Sequence, residues 1–217
     1  MTHFMGHDLS QAERHKVTAA ITAAEAHTTG EIVVVAARES DDYIHVPIHI
    51  ATGCALAVPV LIWLWQQANP WDAGFSLGWL FLIQLGVFIV VALALSLPRI
   101  RRAVTPMRLK HKYAHRNAAA QFLATNIAAT KQRTGVLIFV SLMERYVEVI
   151  GDEAIAAKLS AGDWQKIIDE MLPLLKDKRS CDALVLGVQH AGVLLAKHFP
   201  AKAHVKNELP NGFIVLD

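Results

Sequence analysis

Two apolar stretches, Val46–Trp65 and Leu77–Leu97, interrupt a chain that otherwise reads as one water-soluble domain. Each has the length, about 20 residues, that an α-helix needs to cross the hydrocarbon core of a bilayer. Neither contains Asp, Glu, Lys or Arg, and the linker at 66–76 carries a single formal charge, Asp72. The pattern predicts a transmembrane hairpin (46–65 and 77–97, within 46–97) set between the first part (1–45) and the second part (98–217) of one domain. Arg99, Arg101, Arg102, Arg108, Lys110 and Lys112 crowd the sequence just after the second stretch, Arg38 precedes the first, and the linker has no Lys or Arg. By the positive-inside rule both flanks, and so both termini, are expected to be cytoplasmic, at a bacterial inner membrane. Trp63, Trp65, Trp71 and Trp79 cluster around the linker, where an outer aromatic belt belongs. The competing reading, two buried core helices of a larger fold, accounts for neither the charge asymmetry nor the tryptophans.

Composition narrows the classes of function. The net charge of +2 gives no global basic field for nucleic acid. The two cysteines, Cys54 and Cys181, supply no disulfide framework, since one falls inside an apolar stretch and the other at the start of a helix. Residues 1–10 are polar with no apolar core, so no secretory signal is expected there.

Ser10-Gln-Ala-Glu13 is a capping-box pattern that opens a helix to about His27, with Val17, Ala20, Ile21 and Ala24 on its apolar face. Thr29-Gly30 stops it, and the β-branched run Glu31–Ala37 reads as a buried strand. The same phrase recurs. Thr105-Pro106 opens a long helix to about Arg133, with Leu109, Tyr113, Ala120, Leu123 and Ile127 on one side; Thr134-Gly135 ends it, and 136–140 is a second buried strand. The two strands are expected to be parallel, joined by a right-handed crossover that contains the hairpin. A tight turn at 141–144 leads into an antiparallel third strand at 145–150. A short helix at 152–159, an amphipathic helix opening at 161–163 and kinked or broken at Pro173, a final helix at 180–198 and a strand at 213–216 complete the reading. Gly187 and Gly192 are expected to let the final helix pack closely. The fold class is α/β, a small mixed sheet with helices on both faces.

Thr-Gly-Glu-Ile-Val-Val-Val (29–35), Ser-Asp-Asp-Tyr (40–43), Thr-Gly-Val-Leu-Ile-Phe-Val-Ser (134–141), Glu-Arg-Tyr-Val-Glu-Val-Ile (144–150) and Asn-Glu-Leu-Pro (207–210) together resemble the TPM domain family, which includes thylakoid lumen and photosystem II repair proteins and bacterial membrane-associated proteins. The resemblance covers about 8–45 and 99–217. It implies a Rossmann-like α/β/α sandwich, a role in the upkeep of membrane complexes and, from a plant member, acid phosphatase activity.

Three groups of residues are candidates for function. Asp41, Asp42 and Glu144 fall at the ends of the two parallel strands, where carboxylates could hold a divalent cation and serve metal-assisted phosphomonoester hydrolysis; turn-forming, solvated Asp residues are the plainer reading. Asp152 belongs at the opposite end and reads as a helix N-cap. His45/His49 and His111/His115 each have the i,i+4 spacing that places two imidazoles on one helix face, although a continuous helix after Leu97 would hold the pairs apart. The six basic residues 99–112 suit anionic lipid headgroups as well as topology. No Gly-x-Ser-x-Gly, Gly-rich phosphate loop, Cys-x-x-Cys or His-Glu-x-x-His occurs. The expectation is an accessory or interaction module with a membrane-protein partner; the alternatives are a phosphatase requiring a divalent cation and a module that senses lipid or ions.

Overall fold

The computed structural model describes residues 9–40, 43, 45–69, 76–127, 132–201 and 212–216, with the side chains of 98 and 99 outside the description. The chain divides into two compact units, Met1–Asp41 with Lys110–Asp217, and Asp42–Leu109.

The first unit is built on a four-stranded sheet. Strands β1 (Glu31–Ala37), β2 (Gly135–Ser141), β3 (Tyr146–Gly151) and β4 (Phe213–Leu216) lie in the order β3-β2-β1-β4. β1 and β2 run parallel, with Glu31 opposite Gly135 and Ala37 opposite Ser141. β4 joins the other side of β1, also parallel, and β3 is antiparallel to β2. Every residue of β1 and β2 is buried, as expected of parallel strands covered on both faces. That burial explains why their sequences are nearly unbroken apolar runs rather than alternating ones.

Helices cover both faces. Ile32, Val34, Ala36, Val136, Ile138 and Val140 point into a core shared with α1 (Gln11–Glu25), α7 (Ala161–Lys176) and α8 (Ser180–His198). Val33, Val35, Ala37, Leu137 and Phe139 point the other way, toward Ala114 and Ala118 of α5 (Met107–Ala124) and toward Ile127. The capping box at the start of α1 is formed: the Glu13 N–H donates to Ser10 Oγ at 3.3 Å, and the Ser10 N–H donates to Glu13 Oε2 at 2.8 Å. Gly192 and Gly187 serve close packing. A Cβ on Gly192 would lie 2.6 Å from Ala24 Cβ, and one on Gly187 would lie 2.5 Å from Met171 Sδ.

Three expectations are corrected. The single helix predicted from Pro106 to about Arg133 is shorter, and a separate helix, α4 (Pro98–Val104), precedes it. Leu97 and Thr105 are both extended. Each precedes a proline, whose Cδ crowds the α conformation of the preceding residue. At the far end Asn126 takes φ +53° and stops α5, the left-handed conformation in which helices commonly close. Second, the buried side of α5 is carried by other residues than those expected, although Ile127, just past its end, is buried as expected. Leu123 is 72% exposed, whereas Ala114 and Ala118 are fully buried, because small side chains allow the helix axis to approach the sheet. Third, of the kink or break expected at Pro173, the break does not occur: α7 continues to Lys176. The proline lies one turn from the end, so only that turn depends on the hydrogen bond to Asp169 that its missing N–H would have made.

The second unit holds α2 (His45–Ala68), α3 (Leu77–Ser96) and α4. α2 and α3 pack on each other, with Thr52 and Ala55 facing Phe81, Leu85 and Phe88 across a shallow groove. Both are apolar all round. Leu61, Trp63, Trp65, Leu77, Trp79, Phe81, Val90 and Leu93 are each more than half exposed.

Candidate functional site

The repeated Thr-Gly phrase meets itself at the amino ends of β1 and β2. Thr134 Oγ1 donates to the Thr29 carbonyl at 3.0 Å, and the Glu31 N–H donates to the Thr134 carbonyl at 3.2 Å. Thr28 Oγ1 donates to the Phe199 carbonyl at 2.7 Å and accepts from the Gly30 N–H at 3.0 Å. Two glutamates lie in this end. Glu25 Oε1 accepts the Ile32 N–H at 2.9 Å, while its other oxygen is buried with no hydrogen-bond partner. Burial pushes the Glu25 carboxyl up to about 7; the Ile32 N–H pulls the other way, and the neighbouring Glu31 carboxylate adds to the rise. Sequence reading does not single out this pair, because five residues and a helix end lie between its members.

At the carboxyl ends of the same strands the polar groups are arranged differently. Ser141 Oγ donates to Glu144, Ser40 Oγ donates to Ser141 Oγ at 2.8 Å, and the Ser40 N–H donates to Glu144 Oε1 at 3.3 Å. Ser141 and Glu144 are buried. The Leu142 N–H donates to the Ala37 carbonyl at 2.9 Å and the Met143 N–H to the Arg38 carbonyl at 3.1 Å, so the β2–β3 turn is stitched to the chain leaving β1. The carboxylate of Glu144 thus latches two crossing segments. Asp41 and Asp42, the other two acidic candidates, lie outside the described residues.

Asp152 sits at the far end of β3 and caps α6 (Glu153–Ala156), accepting the Glu153 N–H on Oδ1 at 2.7 Å. Its other oxygen is buried without a hydrogen-bond partner, and Arg133 Nη1 stands 3.9 Å from Oδ1. The register, with Val136 opposite Gly151, separates Asp152 from Glu144 by the length of the strand.

The His45 and His49 rings meet edge to face, 6.2 Å apart between centroids, and both histidine pairs have other partners as well. His49 Nδ1 lies 2.6 Å from the His45 carbonyl. The His111 ring packs against Tyr146 at 5.2 Å between centroids, and His115 Nδ1 lies 2.8 Å from Glu148 Oε1. Glu148 also accepts from the Tyr146 hydroxyl at 3.0 Å. Burial and the Glu148 carboxylate push the Tyr146 phenol up, so it is a donor at any physiological pH. The i,i+4 spacing of His111 and His115 is therefore used to lay two imidazoles over the outer side of β3. Among the described residues no group of three or more His, Cys, Asp or Glu is placed to hold a metal ion. Of the six basic residues, Arg101 and Arg102 are half-buried on α4, Lys110 is half-buried and Arg108 and Lys112 are exposed on α5, and the side chain of Arg99 is outside the description.

Sheet order, helical layers and the serine–carboxylate latch define an α/β domain with a mixed four-stranded sheet. Residues 100–193, from α4 through most of α8, match the TPM domain family. The motifs at 134–141 and 144–150 lie inside the matched span, and those at 29–43 and 207–210 lie outside it. Among solved structures, the NMR structure of the BA42 protein from the psychrophilic bacterium Bizionia argentinensis superposes with a TM-score of 0.59 over 99% of this chain and 99% of its own, at 19% identity. At that identity the likeness is one of fold. No curated protein matches the sequence.

Proposed function

We propose that this chain is a membrane-anchored TPM-domain protein acting as an accessory or interaction module at the cytoplasmic face of the inner membrane, with a membrane protein as its partner. The observation that carries the anchoring is the exposure of α2 and α3. They run to 24 and 20 residues, their most apolar 18-residue windows have mean hydropathies of 1.9 and 2.5, and only 11% and 0% of those windows are buried. A core helix of that hydropathy would be covered by protein; these two present leucine, phenylalanine and tryptophan to their surroundings, and lipid is the solvent that suits such a surface. The basic residues from 99 to 112 support a cytoplasmic flank and suit anionic headgroups at about 1 kcal/mol per residue near the surface. A reporter fused within 66–76 is expected to read as periplasmic, and a cytoplasmic signal would overturn the orientation.

A second reading, metal-assisted hydrolysis of phosphomonoesters, draws on one feature. Ser40, Ser141 and Glu144 converge at the carboxyl ends of parallel strands, the edge at which open α/β sheets bind ligands, and Asp41 and Asp42 follow Ser40 in sequence. In this reading a divalent cation is held by the carboxylates. Turnover of a generic phosphomonoester that disappears in Asp42→Asn supports it, and no turnover with any of several divalent metals sinks it.

A further inference from the structure

β3 is the outermost strand on its side of the sheet, and the direction of its backbone groups follows from two hydrogen bonds. The Asp152 N–H donates to the Gly135 carbonyl, and the Glu31 N–H donates to the Thr134 carbonyl. The first makes 135 and 152 a bonded antiparallel pair. The second turns the even-numbered backbone groups of β2 toward β1 and leaves the odd-numbered ones for β3. Bonded pairs alternate along an antiparallel ladder, so Tyr146, Glu148 and Ile150 bond to β2. The N–H and C=O groups of Val147, Val149 and Gly151 point away from the sheet. Among the described residues none of these groups has a partner. An edge of this kind is a template for another strand.

A groove of about 650 Å³ runs beside this edge. One wall is a stripe of α7 at i, i+4 and i+8: Trp164, Ile168 and Leu172. The other is polar, formed by His111, Tyr146 and Glu148, with Arg145 at the turn that opens β3; Glu148, in mid-strand, already meets His115 and the Tyr146 hydroxyl and keeps further acceptor sites. A strand laid along β3 would send alternate side chains to the two walls. A second copy of this chain fits poorly. α7 packs over β3 itself; two β3 strands paired about a two-fold axis lie about 4.8 Å apart, which would crowd the two α7 axes inside the 8–10 Å that packed helices require.

We propose that the β3 edge takes up an extended segment of a partner protein as a fifth strand, apolar side chains seated against α7 and alternate basic side chains directed to Glu148. Main-chain bonds to Val147, Val149 and Gly151 hold the segment, and the two walls select its pattern. This gives a chemistry to the partner of the accessory role and rests on that reading only for there being a partner.

The test uses the full chain in mild detergent and an eight-residue peptide alternating valine with lysine. Amide hydrogen exchange at Val147, Val149 and Gly151 is expected to slow ten-fold or more with the peptide. The same peptide N-methylated on the amides that face the edge should give no slowing, and a valine–glutamate version should give less than the lysine one. Equal protection by the N-methylated peptide, or no protection by the parent at millimolar concentration, overturns the proposal. A photocrosslinker at Gln165, on the rim of the groove, used in native membranes, separates the two readings. Peptide protection without any crosslinked protein leaves the strand site standing and defeats the accessory role. A partner captured while the peptide leaves the three amides unprotected defeats the strand site and keeps the role.

Discussion

The two ends of β1 handle buried carboxylates in opposite ways. At the carboxyl end, Glu144 is met by the Ser141 hydroxyl and by the Ser40 N–H, and the serines also bond to each other. At the amino end, Glu25 and Glu31 lie side by side, one Glu25 oxygen lacks a hydrogen-bond partner, and the Glu25 carboxyl is driven up to about 7. A carboxylate supplied with donors is a structural tie. A carboxyl placed beside another in a desolvated corner responds to pH instead. The difference lies in which donors stand nearby: serines at one end, threonines already committed to main-chain carbonyls at the other.

Each end can be broken separately. The largest effect is expected at the latch. Glu144→Ala removes a buried acceptor and strands the Ser40 N–H and the Ser141 hydroxyl, so thermal unfolding in detergent should show a loss of about 2–3 kcal/mol. A loss below a few tenths would mean that the latch is incidental. The amino end should respond to pH. Its carboxyl keeps its proton in the folded state where the unfolded one, at the usual 4.5, has lost it. The stabilising contribution of that proton is therefore complete below pH 4.5 and is lost as pH rises to about 7. Glu25→Gln should flatten this slope and leave the variant the more stable of the two at pH 8, by about 1 kcal/mol; parallel slopes from pH 5 to 8 would show that Glu25 does not titrate in the fold. The smallest effect is expected for Thr134→Val, which deletes the bond to Thr29 while keeping the shape. It should cost about 1 kcal/mol or less by the same measurement and leave the pH slope intact.

Much of the fold is legible in the sequence because its signals are local. The β-branched run 31–37, the capping box at Ser10 and Glu13, the Asp152 cap and the glycines of α8 announce themselves within a few residues. The register of the Thr-Gly repeat adds a long-range inference, that β1 and β2 are parallel neighbours, and the pairing has that form. The buried side of α5 is less visible because alanines carry it, and alanine is equally at home on either side of a helix. The breaks at Leu97 and Thr105 follow from the residues after them, Pro98 and Pro106, although a proline at a helix start looks the same in sequence whether or not another helix lies just before it. The site residues are the least legible. Glu148 meets His115, and Ser40 meets Ser141 and Glu144, only after the sheet has formed.

The central position of β1 has a consequence for how the protein is made. Val33 takes its place opposite Leu137, and Val34 opposite Phe213. At about 5–20 residues per second, the first neighbour follows β1 from the ribosome by about 5–20 s, and the second later still. Throughout that interval a strand that ends up buried along its whole length has no edge to join, while the helical hairpin coded just behind it needs only contacts between its own two arms. Assembly therefore runs from the middle of the chain outward. The seven residues 31–37 are the segment that a nascent-chain chaperone would have most reason to hold, and the one whose exposure sets the hazard of misfolding.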